Sequence, residues 1–419
     1  MKIYEGNSLN KSETPESRYL VYLDNTILFF ITLQVVAVGF SIAVASISLG
    51  FWFGLWIIKL LFLRKVDTSF IFSREMLYVN SAIAFYILAE FISRLFAVFP
   101  DEALIGLKRQ FLVFIIFGSV STIRDKNTFY KIFFIVVFGS SIVSLYEIVR
   151  FAVAFRELAA TVNISEIRID YLNYPITGAE IKMLIFLTAF PLLFSGEKML
   201  IKKWTLVSAL IPILIAMYLT QSRNVMLAVF ICFIITAAFF NKKFLLYLVI
   251  LTAAFIYLIP GQFRERIFSI ADPNHPSNQS RIVTWQTGIK MFKDYPVTGV
   301  GDNEITEVYK MYKTPELHGE GSHMHSNYMQ ILVTSGILGA IAYILFHTIF
   351  FMKQIKYYKV LKDGNDGLII FGTILMMISF HISGIFEWNF GDWEVFNVFM
   401  YLLSLPFILF NLNKKIKTD

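Results

Sequence analysis

His323-Met324-His325-Ser326-Asn327-Tyr328-Met329-Gln330-Ile331-Leu332-Val333-Thr334-Ser335-Gly336-Ile337-Leu338-Gly339 is the stretch on which the reading of the whole chain turns. It follows the longest polar segment and leads straight into an apolar helix. A histidine at the mouth of a membrane span has one side to water and one to a dry cavity, where an imidazole can take a proton from a polar substrate. Taken alone, the stretch is equally a helix cap or a metal ligand, so its surroundings have to decide.

The 419 residues are 57% hydrophobic and only 16% charged. Soluble domains carry about a quarter charged residues, so this composition implies an integral membrane protein. A formal charge of +7 would suggest nucleic acid in a soluble chain. Here it reflects Lys and Arg that hold loops in the cytoplasm, and no nucleic-acid partner is expected. The single cysteine, Cys232, lies in an apolar run and leaves no intrachain disulfide and no cysteine metal site. The polar N-terminus lacks the layout of a cleaved signal, so the first apolar segment is expected to stay in the membrane.

Crossing ~30 Å of hydrocarbon takes about 20 residues. About twelve segments qualify: 27–46, 48–63, 77–97, 106–123, 129–154, 179–196, 203–220, 224–240, 244–260, 327–352, 367–386 and 394–412. The expected plan is an all-α membrane bundle. It has a cytoplasmic tail (1–26), nine spans (27–260), a large extracytoplasmic loop (261–326), three spans (327–412) and a second cytoplasmic tail (413–419). The even-numbered connections carry Arg64, Lys65 and Arg74; Arg124, Lys126 and Lys131; Lys198, Lys202 and Lys203; Lys242 and Lys243; and Lys353, Lys356, Lys359 and Lys362. Short turns on the other side are acidic or neutral, which is a positive-inside pattern with both termini in the cytoplasm. Arg223, Arg264, Arg266 and Arg281 are then exceptions, because they fall on the outer side.

In the outer loop, Ile282, Trp285, Ile289 and Phe292 share one helical face. Ser280 is a possible cap before them. The spacing predicts an amphipathic helix on the membrane–water boundary, anchored by Trp285 and ended by Pro296 and Gly299-Val300-Gly301.

Arg223 is either a snorkelling arginine or an anion site whose guanidinium fork matches phosphate oxygens. Arg281 is a solvated charge or, with Arg223, half of a clamp on a doubly negative group at the membrane surface. Arg264 and Arg266 are further candidates, more suited to lipid headgroups. His318, His323 and His325 cluster, with Glu316 and Glu320 near them in sequence. The set allows a zinc site, a helix cap, or a general base at His325. Asp392 and Glu387, in the last outer turn, are placed to orient an imidazole or an arginine, or simply to mark topology. There is no P-loop and no dinucleotide-binding glycine pattern.

With those residues in view, the chain resembles the O-antigen ligase family, which shares its core domain with O-antigen polymerases. The family signature is His, then Asn, Ser or Gln, nine residues, Gly, two residues, and Gly, Thr or Tyr. Here it reads His325, Ser326, Asn327 to Ser335, Gly336, Ile337-Leu338, Gly339. Arg281, Trp285, Pro296, Gly299 and Gly301 match the preceding loop, and Ser222-Arg223 matches a pair between two spans. The agreement in order and spacing covers roughly residues 205–345, and the N-terminal half is alike only in having several spans.

The resemblance implies a membrane glycosyltransferase of the GT-C-like class in the bacterial inner membrane, with its site on the periplasmic face. It implies a polysaccharide donor on undecaprenyl diphosphate, a lipid A–core sugar hydroxyl as acceptor, inversion at the anomeric carbon, and no metal, cofactor or ATP. By position, Arg223 and Arg281 would bind the diphosphate and His325 would activate the hydroxyl. His323, Arg266 and Asp392 are possible auxiliaries. An O-antigen or exopolysaccharide polymerase, with a second lipid-linked glycan as acceptor, is the nearest alternative. A secondary transporter is more distant: Glu90 is its most central ionisable residue, and Arg94 four residues on can pair with it.

Overall fold

The computed structural model describes residues 15–158, 167–170, 172–240, 274–314 and 323–418, together with isolated positions such as Asp272 and Gly321. Most of the expected ninth span, Arg264, Arg266, Glu316, His318 and Glu320 lie outside the described residues. Every regular element among the described residues is a helix. Nine of these are long and apolar enough to cross a membrane, so the protein is a multi-pass membrane protein, all-helical among the described residues.

The helices are α1 (Pro15–Ala37), α2 (Ile42–Ile57), α3 (Leu77–Leu95), α4 (Pro100–Ile105), α5 (Phe114–Thr122), α6 (Lys126–Leu158) and α7 (Pro175–Ala189). They continue as α8 (Lys203–Leu219), α9 (Arg223–Phe240), α10 (Pro276–Asp294), α11 (Ile305–Tyr312), α12 (Asn327–Leu361), α13 (Asn365–Ser383) and α14 (Trp393–Thr418). A helix that is apolar all round belongs at the centre of a bundle. α7 and α14 fit that rule, since 89% and 94% of their most apolar windows are buried. α13 packs along both α7 and α9, and α3 runs along α12.

Two breaks are invisible to hydropathy. The apolar run 27–46 is interrupted: α1 ends at Ala37, and the Ser41 hydroxyl accepts the Val44 amide at 3.3 Å to start α2. This N-cap satisfies a backbone donor that apolar neighbours cannot. The second break is in α12, at Gly336 (φ 62°, ψ −162°). In a straight helix, Tyr328 and Tyr343 would sit about 22 Å apart. Their rings are 6.1 Å apart, and the Asn327 amide is 3.4 Å from the Tyr343 hydroxyl. The short limb 327–335 therefore folds back beside the long limb 337–361. The helix that carries the expected span 327–352 accordingly has two limbs, the long one reaching Leu361.

The reversal leaves orphan carbonyls at the end of one limb and orphan amides at the start of the other. The turn 296–301 satisfies both. The Ile337 and Leu338 amides donate to the carbonyls of Pro296 (2.9 Å) and Val297 (3.1 Å), and the Val300 and Gly301 amides donate to those of Val333 (3.0 Å) and Thr334 (2.9 Å). Backbone meets backbone here, so Cβ atoms have no room. At Gly299 (φ 71°) one would collide with the Thr334–Ser335 peptide, and at Gly336 with the Val297 carbonyl.

At the opposite end of the bundle, ion pairs join separate segments: Lys353 and Lys356 to Glu75, Lys126 to Asp366, and Lys415 to Asp67. Lys126, Lys353 and Lys356, three of the basic residues that the sequence assigns to one side, take part in these pairs.

Gly299→Ala and Gly336→Ala are each expected to destabilise the protein by more than about 2 kcal/mol. Gly50→Ala in α2, with nothing within 4 Å of the added methyl, is expected to be neutral or mildly stabilising. Thermal unfolding in detergent separates the two classes.

Candidate active site

The turn back at Gly336 brings the segment before α12 down beside the bundle. His325 itself adopts a left-handed conformation (φ 48°), as does Gln221 (φ 56°) two residues before Arg223. Non-glycine residues in this region cost about 1–3 kcal/mol each and persist only where surrounding contacts impose them. Around His325 those contacts are identifiable. The Met324 amide donates to the Gln330 side chain at 2.7 Å, and the Met324 carbonyl accepts the Trp285 indole N–H at 2.7 Å. Trp285, expected as a membrane anchor, therefore ties α10 to the histidine segment. α10 itself starts at Pro276, ahead of the expected Ser280 cap, and leaves Ile282 and Ile289 exposed.

His323 and His325 lie with ring centroids 4.0 Å apart. Both face one carboxylate oxygen: Glu387 Oε1 is 3.8 Å from His323 Nε2 and 3.7 Å from His325 Nδ1. The imidazoles are about a third exposed (30% and 36%) and the carboxylate only 11%, so solvent reaches the rings more than the acid behind them. The His325 amide donates to His323 Nδ1 at 3.2 Å. Neutral His323 must then carry its proton on Nε2, pointing at Glu387. His325 Nδ1 is buried with no hydrogen-bond partner in range, although the side chain as a whole is about a third exposed.

Burial raises the Glu387 pKa, but His325 and then His323 outweigh it and hold the carboxyl below its usual value. Burial lowers the Arg281 pKa while Glu387 opposes it. Arg281 also acts electrostatically on His323, so this arginine belongs to the same cluster. The ligand atoms of His323, His325 and Glu387 all fall within 4.8 Å of one another, a spacing that admits a metal ion. Coordination through His323 Nε2 requires that atom to be unprotonated, and metal-bound histidines normally donate from the other nitrogen. The backbone amide on Nδ1 imposes the opposite tautomer and works against a metal.

Asn327 fixes the geometry. This fully buried residue donates its amide N–H to the Gly384 carbonyl (2.8 Å) and its side-chain NH₂ to Asn389 (2.6 Å), and accepts from the Phe390 amide (3.0 Å). The loop that carries Glu387 is thus pinned on both sides to a residue two positions after His325. Asn389 extends the network to Glu180 of α7 (3.3 Å). Glu180 is also bonded by Ser383 and by Asn224 (3.4 Å), and Asn224 donates to Ser383 at 2.8 Å. Arg223, half-buried at the start of α9, is the residue before Asn224, so the network runs from the neighbour of one predicted arginine to Asn327, two residues after His325.

A second network lies beneath. Asp302 stands 3.6 Å from Arg94 and 3.7 Å from Arg109 and accepts from Gln330 at 3.0 Å. Arg109 donates to the Gly391 carbonyl and lies over the Trp388 ring at 5.6 Å. Arg94 pairs with Glu90 at 3.2 Å, as their i,i+4 spacing suggests.

Asp392 has another task. Its Oδ1 accepts the Glu394 and Val395 amides at 3.0 and 3.1 Å, which caps α14, and Thr177 donates to its Oδ2. The acid against the imidazoles is Glu387. Sequence reasoning passed over Asn327, Asn389, Glu180, Asn224, Asp302 and Arg109. The available signal was their polarity within or beside strongly apolar runs.

Burial, then the neighbouring His325, push the His323 pKa below its ordinary value, with Glu387 opposing. A histidine whose folded pKa is depressed binds protons more readily when unfolded. Stability is therefore lost as pH falls through the unfolded value of about 6.5. Below that pH, His323→Gln is expected to lose less thermal stability than the parent protein, measured in detergent.

Residues 208–344, about a third of the chain, match the family model described as O-Antigen ligase. No curated protein matches the chain. The matched stretch contains Arg223, Arg281, the Gly299–Gly336 contact and His325, so this third of a multi-pass membrane protein is similar to the O-antigen ligase domain.

Proposed function

We propose that the protein is an O-antigen ligase. It transfers a polysaccharide from undecaprenyl diphosphate to a sugar hydroxyl of lipid A–core on the periplasmic face of the inner membrane. The observation that carries this reading is His325: within the matched domain, its partly exposed imidazole is backed by a covered carboxylate, Glu387, on which Arg281 also acts.

The chemistry follows from that arrangement. His325 Nε2 takes the proton of the acceptor hydroxyl as its oxygen attacks the anomeric carbon. The bond from that carbon to the diphosphate breaks, and inversion follows from attack opposite the leaving group. Arg223 and Arg281 neutralise the charge that develops on the departing diphosphate. Electrostatic help of this kind is worth about 3–4 kcal/mol per donor in a site shielded from water. The donor is already activated, so the reaction draws on no ATP. The end of the bundle that holds the basic ion pairs faces the cytoplasm, and His325 lies at the other.

A strain lacking the gene is expected to show bare lipid A–core, with polymer retained on the carrier. Complementation with His325→Ala is expected to leave that pattern unchanged. If the deletion instead leaves core carrying at most one repeat unit, the protein is a polymerase. If His325→Ala restores normal lipopolysaccharide at normal expression, the proposed base is wrong. Arg281→Ala and Arg223→Ala are expected to lower transfer by about 10²–10³-fold, measured with purified donor.

A further inference from the structure

We infer that Glu387 is the positioning residue of the site, a buried anion that fixes the tautomer and orientation of His325 so that Nε2 is the proton acceptor. This rests on the reading of His325 as the base.

Three observations carry it. Glu387 Oε1 is already oriented by the Trp388 amide, which donates to it at 3.1 Å. The same oxygen faces both imidazoles, 3.8 Å from His323 Nε2 and 3.7 Å from the buried Nδ1 of His325. His323 cannot reverse its role, because the His325 amide occupies its Nδ1. His323 therefore presents Nε2–H to Glu387. His325 is left with a buried Nδ1 whose favourable state beside a carboxylate is N–H.

At 3.7 Å the His325–Glu387 contact is a charge–dipole interaction. Such contacts in substrate-free sites commonly tighten into hydrogen bonds once substrate binds. When Nε2 takes the acceptor's proton, the ring becomes a cation with both nitrogens protonated. Glu387 remains ionised and stabilises that cation, and no proton moves to it. The loop cannot drift, because Asn327 holds it through Gly384 on one side and Asn389 and Phe390 on the other.

Glu387 also lies near Arg281, so a role in holding the donor-binding arginine is the competing account. The two differ in what they change. Loss of imidazole orientation lowers kcat, whereas loss of support for Arg281 raises the donor KM.

The test uses the full-length protein in nanodiscs, with a polyprenyl-diphosphate glycan as donor and a defined acceptor. The variants are Glu387→Ala, Glu387→Gln, Glu387→Asp and His325→Ala, each checked for an unchanged unfolding midpoint. Glu387→Ala is expected to lower kcat about 10²-fold or more, with donor KM within about twofold of the parent. Added formate, or the Glu387→Asp substitution, should restore part of the loss, and formate should do nothing for His325→Ala. If Glu387→Ala misfolds, the near-isosteric Glu387→Gln carries the same expectation for kcat. Near-parental kcat in the folded variant, a defect confined to donor KM, or a kcat loss that neither formate nor aspartate relieves overturns the inference. Full activity in His325→Ala would instead remove the base reading beneath it, and the two failures are distinguishable.

Discussion

The buried side chain of Asn327 holds the site together. In a low-dielectric interior an amide left without partners costs about 1–3 kcal/mol or more, and a satisfied one specifies a single geometry. Asn327 pairs with Gly384, Asn389 and Phe390, so the start of α12 and the loop between α13 and α14 cannot move independently. His325 is two residues before that amide, and Glu387 lies between its partners. The Glu180 and Asn224 contacts carry the same constraint across α7 to the first turn of α9, next to Arg223.

The reversal at Gly336 sets how deep the site lies. A continuous helix would carry Asn327 and His325 beyond the end of the bundle. Folding the limb 327–335 back places Asn327 beside Tyr343, well inside the end of the long limb. There the low dielectric strengthens every charge–charge and charge–dipole interaction. The cost is a set of orphaned backbone groups, and the turn 296–301 satisfies them. Of the two glycines required by this backbone contact, Gly336 belongs to the spacing that identified the segment in the sequence and Gly299 to the loop before it. They serve to close a turn against a turn, whereas a Cβ at Gly339 would collide with the side chain of Ser335.

Much of this was legible in the sequence because it is local. Composition and span length identify a membrane bundle, loop charge marks one end as basic, and the interval from His325 to Gly336 and Gly339 can be counted directly. The remainder depends on contacts between distant segments. Hydropathy runs unbroken across both Gly336 and the α1–α2 turn, since a backbone reversal changes φ without changing apolarity. Asp392 and Glu387 sit five residues apart in one acidic turn, and only tertiary contact separates a helix cap from the acid behind two imidazoles. The position of Asp392 just before an apolar helix was a usable cap signal. Trp285 was legible as amphipathic, but its indole donates to a carbonyl 39 residues away, which no periodicity reveals.

The central claim is that one site holds a carrier diphosphate at Arg223 and Arg281 and an acceptor hydroxyl at His325. A cryo-EM structure of the protein with a non-hydrolysable polyprenyl-diphosphate analogue tests it most directly. The account predicts the diphosphate within hydrogen-bond reach of both guanidinium groups, with the first sugar's anomeric carbon facing His325 Nε2. Density for the diphosphate at a separate place, with His325 and Glu387 remote from the sugar, would contradict it.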